Sequence, residues 1–311
     1  LKTPGPPPSR RTALALSAGT AMAAAVSSGT AHAAPAGRAS GPQHGIARAL
    51  RELEREHSAR LGVFAHNSVT GTSVLYRADE TFPICSVFKT VAVAAVLRDL
   101  DQYGEFLAKR VRYTEQDVQD SGYAPVTGEP GNLEGGMTVG ELCAAAVSYS
   151  DNTAANLLLR ELGGPASVTR FSRSVGDRAT RLDRWEPELN SAEPWRTTDT
   201  TTPGAIGRTC ARLTLGRALR PRDRKRLTDW LLANTTGGAR LRAGLPGSWT
   251  LADKTGTGEF GTTNDVGVAW KPDGTPGTPL VLAVLSTKDD AEAAADEPLI
   301  AKTAALLAKA L

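Results

Sequence analysis

Residues 82–89 read Phe82-Pro83-Ile84-Cys85-Ser86-Val87-Phe88-Lys89. Pro83 stands just ahead of an apolar run, 87–97, that predicts a buried helix. Ser86 falls at or near the start of that helix. Lys89 follows one turn later, so the two side chains share a face. A serine hydroxyl needs a base within hydrogen-bond reach before it can attack. A desolvated lysine amine can be that base. The first turn of a helix also offers free N–H groups where an oxyanion would develop. Taken alone, Ser-x-x-Lys is a weak signal, since ordinary composition produces it by chance roughly once in a few hundred residues. A helix-start serine beside a solvated lysine is the better reading until partners are found elsewhere in the chain.

The chain has 311 residues, 41% hydrophobic and 22% charged, which fits one or two ordinary globular domains. Its net charge of +3 comes from Lys2, Arg10 and Arg11; the remainder carries 33 basic and 33 acidic residues. A neutral body gives no support to a nucleic-acid or membrane-surface partner. Arg10-Arg11, the Ala-rich run from Thr12 to Val26 and Ala31-His32-Ala33 together predict an export signal over residues 1–33. The run is too short and too weakly apolar for a membrane anchor. Ser9-Arg10-Arg11 also resembles a twin-arginine signal, which leaves the Sec and twin-arginine routes both open. Cys85, Cys143 and Cys210 are odd in number and widely spaced, and none of the four histidines lies in a zinc pattern. The cysteines read as small buried apolar side chains. A zinc hydrolase and a Ser-His-Asp enzyme are poorly supported.

Residues 34–42 read as a flexible linker. A helix is expected over 44–58, then strands over 61–66 and 73–76 joined by a turn at 67–72. Residues 100–135 look irregular. Thr138 with Glu141 predicts a capping box for a helix over 139–148, and further helices are expected over 151–162, 168–175, 202–215 and 222–233. Residues 180–199 form a long loop, which in a compact domain is usually functional. Strands over 249–253, 265–270 and 280–287 precede a final helix over 291–311. The ends of the chain are thus α/β and its middle helical. The expected division is an α/β domain from 43–85 and 221–311, with an all-α domain, 86–220, inserted.

Three further motifs bear on Ser86. Ser150-Asp151-Asn152 lies between two helices, where a hydroxyl and an amide can face a cleft. Lys254-Thr255-Gly256 ends a strand, with a cation and a glycine that lets a ligand approach the backbone. Arg184-Trp185-Glu186-Pro187-Glu188-Leu189-Asn190 sits in the long loop. Each has a bland reading: a helix cap, a turn, a solvated pair. Their joint occurrence in this order does not.

Ser-x-x-Lys, Ser-Asp-Asn and Lys-Thr-Gly together are the signature shared by class A β-lactamases and penicillin-binding proteins. From about residue 43 to 311 the chain resembles a secreted class A serine β-lactamase of the actinomycete type. The resemblance implies an antiparallel sheet flanked by helices with a helical domain inserted, no cofactor and no metal, and a monomer acting on a small-molecule β-lactam, chiefly penicillins. It implies that Ser86 attacks the β-lactam carbonyl and that Lys89 helps activate it. The N–H groups of Ser86 and Thr257 form the oxyanion hole. Ser150 relays a proton to the β-lactam nitrogen. Asn152 contacts the acylamide side chain, and Lys254, Thr255 and Thr257 bind the carboxylate beside Gly256. Glu186, with Asn190, holds the hydrolytic water. Tyr123 lines the cleft mouth, and Arg184 and Asp199 close the neck of the long loop around a Glu186–Pro187 bond that is often cis.

The chain departs from the pattern in two places. Many relatives carry an arginine on the strand after Lys-Thr-Gly; here 259–264 has none, and Arg240 matches the position that supplies the guanidinium in actinomycete-type members. Relatives also carry disulfides from the positions of Cys143 and Cys85, but their partner positions hold Val93 and Gly258, so no disulfide is expected. A peptidoglycan carboxypeptidase or transpeptidase would keep the nucleophile but lack a carboxylate at Glu186. A non-hydrolytic β-lactam sensor would need a transmembrane helix and a signalling domain.

Overall fold

The computed structural model describes residues 1–2, 41–272 and 278–311. Apart from Leu1 and Lys2, the expected export signal lies outside the described residues, as does most of the expected linker. Helix α1 (Gly41–Glu56) opens earlier than the sequence suggests and takes up the last two linker positions.

Five antiparallel strands form the sheet: β1 (Arg60–Asn67), β2 (Ser73–Tyr76), β3 (Thr250–Thr257), β4 (Thr263–Trp270) and β5 (Leu280–Thr287), in the order β2-β1-β5-β4-β3. The 67–72 turn is held by Asn67, whose Oδ1 accepts from the N–H groups of Val69 and Thr70, both at 3.0 Å. Strand β5 shows why the sheet sits centrally. All eight of its residues are buried, and they alternate between two cores. Leu280, Leu282 and Val284 join Leu50, Leu61, Leu299 and Leu307 on one face, beneath α1. Val281, Ala283 and Leu285 join the larger core on the other face.

That larger core runs without a break into the helical half, through α2 (Phe88–Ala95), α3 (Val139–Ser148), α4 (Asn152–Leu162) and α5 (Ala166–Ser174). The Thr138–Glu141 capping box that opens α3 is present. Helix α6 (Pro203–Thr214), placed by the sequence in an all-α domain, instead lies against β1, β4 and β5 of the sheet. Gly207 permits that approach: a Cβ there would come within 2.5 Å of Phe64. Helix α7 (Pro221–Leu232) packs on both α3 and β3. The final helix, α8 (Glu297–Ala310), begins six residues later than expected, capped by Asp296, which accepts from Leu299 N–H at 3.1 Å.

The stretch expected to be irregular, 100–135, carries three short helices at Glu105–Ala108, Glu115–Ser121 and Pro130–Gly135. They are too brief to show a hydrophobic period. Cys85, Cys143 and Cys210 are all free and buried, as the missing partners required. Burial pushes all three thiols up, Cys210 to about 12, so none is a ready nucleophile.

Candidate active site

The Ser86 segment enters the core as a single tight turn, Cys85–Val87, continuous with α2. Cys85 is held at φ 44°, a left-handed conformation that L-residues adopt at a cost. Two backbone pairs, Phe82 with Thr201 and Pro83 with Thr200, tie this segment to the end of the long loop. Every residue of α2 is buried, including Lys89.

Lys89 is therefore far from the solvated lysine of the bland reading. Its Nζ donates to Asn152 Oδ1 at 2.6 Å and to the Ser150 carbonyl at 2.7 Å, and lies 3.0 Å from Glu186 Oε1. Burial pushes its ammonium below the ordinary lysine value, and the Glu186 carboxylate pulls it partly back. Ser86 Oγ donates to the same Glu186 Oε1 at 3.2 Å. The hydroxyl and the lysine thus share one carboxylate oxygen.

Glu186 is placed by two asparagines. Asn190 Nδ2 donates to its second oxygen, Oε2. Asn156, which the sequence reading overlooked, brackets its backbone: Nδ2 donates to Glu186 O at 2.8 Å and Oδ1 accepts from Glu186 N at 3.0 Å. Asn156 stands one helical turn beyond Asn152 on α4, so its spacing alone could have flagged it. The neck of the loop is closed as expected. Arg184 Nε donates to Asp199 Oδ2 at 2.6 Å, and Asp199 Oδ1 accepts the N–H groups of Asp183 and Arg184. The Glu186–Pro187 bond is cis.

Ser150 connects the two lysines. Its backbone sits at φ 59°. Its Oγ lies 3.0 Å from Lys254 Nζ and 3.5 Å from Lys89 Nζ. Asp151 caps α4 through Ala154 N–H at 2.8 Å and also accepts from Val126 and Thr127, fixing the segment that carries Tyr123. Asn152 N–H in turn donates to the Tyr123 carbonyl at 2.8 Å, while the Tyr123 side chain stays 52% exposed at the mouth.

The strand expected to stop at Asp253 runs on through Lys-Thr-Gly to Thr257. Lys254 is fully buried. Burial first, then the neighbouring Lys89 and Arg240 charges, hold its ammonium well below the ordinary lysine value. Gly256 answers a different need from ligand access. A Cβ there would lie 3.0 Å from the Ile84 carbonyl and 3.2 Å from Cys85 Cβ, so the missing side chain lets β3 press against the nucleophile turn. Arg240, only 5% exposed, reaches across the strand end. It donates to the carbonyls of Gly256 and Asn264, both at 2.9 Å, and to Thr257 Oγ1 at 2.7 Å. The N–H of the next residue, Leu241, is tied to buried Asp265 at 3.1 Å.

These groups converge on a cavity of about 320 Å³, lined by Ser86, Tyr123, Ser150, Asn152, Asn190, Thr236, Arg240, Thr255, Gly256 and Thr257. Nine of those ten were expected from the sequence; Thr236 was not. Lys89, Glu186 and Lys254 do not line it but are each hydrogen-bonded to a residue that does. A nucleophile, two buried amines, a carboxylate and a cluster of cation and hydroxyl donors around one small cavity suit acyl transfer to an anionic substrate.

A family model described as the beta-lactamase enzyme family matches residues 45–311. The chain belongs to that family. A beta-lactamase of Streptomyces lavendulae is 64% identical to it over 310 residues, 99% of each chain. One from Kitasatospora aureofaciens is 61% identical over 304 residues, 97% of each. The solved beta-lactamase from Streptomyces albus G shares 61% identity at a TM-score of 0.84, over 86% of this chain and 99% of that one. A variant of the last common ancestor of Gram-negative class A beta-lactamases shares 50% identity at a TM-score of 0.80, over 86% and 97% respectively. The sheet, helices and cleft described above are those of a class A serine β-lactamase.

Proposed function

We propose that this β-lactamase opens the ring of penicillin-type antibiotics with Ser86 and clears the resulting acyl-enzyme with a water activated by Glu186. Hydrolysis of β-lactams, and the resistance it confers, is the activity of the family to which the chain belongs. The assignment of roles rests on one observation above all: Glu186 Oε1 is 3.2 Å from Ser86 Oγ and 3.0 Å from Lys89 Nζ, with Oε2 held by Asn190. A carboxylate so placed can draw the proton from Ser86 or, once Ser86 is acylated, from a water. Lys89 supplies the balancing charge and a second route for the serine proton. Ser150, between Lys89 and Lys254, is placed to hand a proton to the departing β-lactam nitrogen. The backbone N–H groups of Ser86 and Thr257 are assigned to the oxyanion, and Asn152 to the acylamide side chain. A chromogenic β-lactam is expected to be turned over steadily. A single stoichiometric burst followed by silence would point instead to a transpeptidase or a sensor.

The substrate carboxylate is assigned to Lys254, Thr255, Thr257 and Arg240. Arg240→Ala is expected to raise the KM for benzylpenicillin about tenfold, through the loss of one charge-assisted contact. It should also lower Tm, because the carbonyls of Gly256 and Asn264 lose their donor. Arg240→Lys should recover little, since one ammonium cannot reproduce the guanidinium fork. An unchanged KM and kcat in Arg240→Ala would remove Arg240 from the site. We further read the enzyme as an exported monomer, on the strength of the Arg10-Arg11 leader and the family resemblance. No helix among the described residues is long and apolar enough to cross a membrane.

A further inference from the structure

Thr236 lines the cavity beside Thr255. Its surroundings fix a direction of hydrogen bonding. Thr236 N–H donates to Asn234 Oδ1 at 3.0 Å, so that atom is the amide oxygen, and Asn234 Nδ2 faces the buried Asp253 carboxylate. Thr236 Oγ1 lies 2.8 Å from the same Asn234 Oδ1. Only the threonine has a proton to put in that gap. The opposite arrangement would set two lone pairs against each other. With its proton committed to Asn234, Thr236 Oγ1 can only accept from its other neighbour, Thr255 Oγ1. The chain of hydroxyls therefore runs Thr255 to Thr236 to Asn234. In the free enzyme the Thr255 proton points at Thr236, and its lone pairs face the cavity.

We infer that Thr236 is a positioning residue that competes with the substrate for the hydroxyl of Thr255 and so sets how tightly the substrate carboxylate is held. The inference rests on the reading of Thr255 as a carboxylate ligand. A carboxylate offers only acceptors, so Thr255 must turn its proton away from Thr236 before it can contribute. Binding then exchanges one hydrogen bond for another and adds none at this atom. A ligand that presents an N–H donor at the same place, such as a carboxamide, can accept the arrangement as it stands.

Thr236→Val removes the competing oxygen at nearly constant volume. Asn234 Oδ1 keeps the backbone N–H of residue 236. The KM for benzylpenicillin is expected to fall about threefold, the worth of a net hydrogen bond, with kcat little changed. The KM for its primary carboxamide, which can donate to Thr255 as it stands, should not fall. Thr236→Ser, which keeps the hydroxyl, should match the parent enzyme on both substrates. An unchanged or raised KM for the acid in Thr236→Val would overturn the inference, as would equal shifts for acid and carboxamide, which mark a merely structural role. If the parent enzyme itself bound acid and carboxamide alike, the carboxylate anchor would fail, and this inference with it. A parent enzyme that prefers the acid, with a preference that Thr236→Val leaves untouched, overturns the inference alone.

Discussion

Glu186→Gln is expected to stall the enzyme with Ser86 acylated. Mixed with benzylpenicillin, the variant should gain the mass of one intact substrate per chain, and steady turnover should fall by about a thousandfold, the scale of a lost general base. The reason lies in what glutamine keeps and what it loses. Asn190 Nδ2 donates to one oxygen of Glu186, so it selects the oxygen end of the new amide. The amide NH₂ then faces Ser86 and Lys89. A water in that place has no carboxylate to take its proton, and deacylation stops. Acylation has a second route. Burial already lowers the Lys89 ammonium, and Glu186 is the first charge that opposes the shift. With that charge gone, and an NH₂ beside it, Lys89 moves further toward the neutral amine, which can accept the serine proton. Intact-protein mass spectrometry is the deciding measurement. Parental turnover would refute the water-activating role. A dead variant with no adduct would move Glu186 to the acylation step.

Much of this site was legible because its motifs are short and their residue types are chemically specific. Ser86, Lys89, Ser150, Asn152, Glu186 and Lys254 each have an ordinary reading alone and are specific only in combination. The fold was legible where burial is one- or two-sided and regular, as in Leu280–Thr287 and in the capped helix after Thr138. It was obscured where polar residues are buried for function. Asp253, Lys254 and Thr255 look like the end of a strand because strands seldom bury such side chains, yet here all three lie inside. Gly256 shows the same limit from the other side. Its absent side chain serves the contact between β3 and the Cys85–Val87 turn, two elements remote in sequence. Helix α6 was assigned to the wrong layer because its own residues carry no mark of whether a helix or a sheet lies beneath it. Thr236 was missed because one threonine in Thr235-Thr236-Gly237-Gly238 looks like any other. Only its contacts with Asn234 and Thr255 distinguish it.

The two buried lysines are expected to give opposite pH dependences, and Lys254→Ala should separate them. Lys254 Nζ donates to Ser150 Oγ at 3.0 Å and to the Thr255 carbonyl at 2.9 Å, beside the assigned carboxylate site. Its removal is expected to lower kcat/KM about a hundredfold, the upper end for one charge-assisted contact plus a displaced Ser150 hydroxyl. Both ammoniums titrate below the ordinary lysine value of 10.5, Lys254 well below it. Deprotonating Lys89 frees an amine for acylation, so that limb rises with pH. Deprotonating Lys254 discharges the carboxylate anchor, so KM for benzylpenicillin rises on the alkaline side, at a pH well under 10.5. In Lys254→Ala the alkaline rise in KM should vanish, while the ascending limb stays. Titration of Lys254 does not itself destabilise the fold over this range. A lysine with a depressed folded-state pKa binds fewer protons folded than unfolded between that pKa and 10.5. Its contribution to stability therefore increases with pH through that window. Over the range in which Lys254 loses the substrate, this group makes the fold more secure. A KM that stays flat in the parent enzyme up to the ordinary lysine range would take Lys254 out of the anchor. An alkaline rise that survives in Lys254→Ala would do the same.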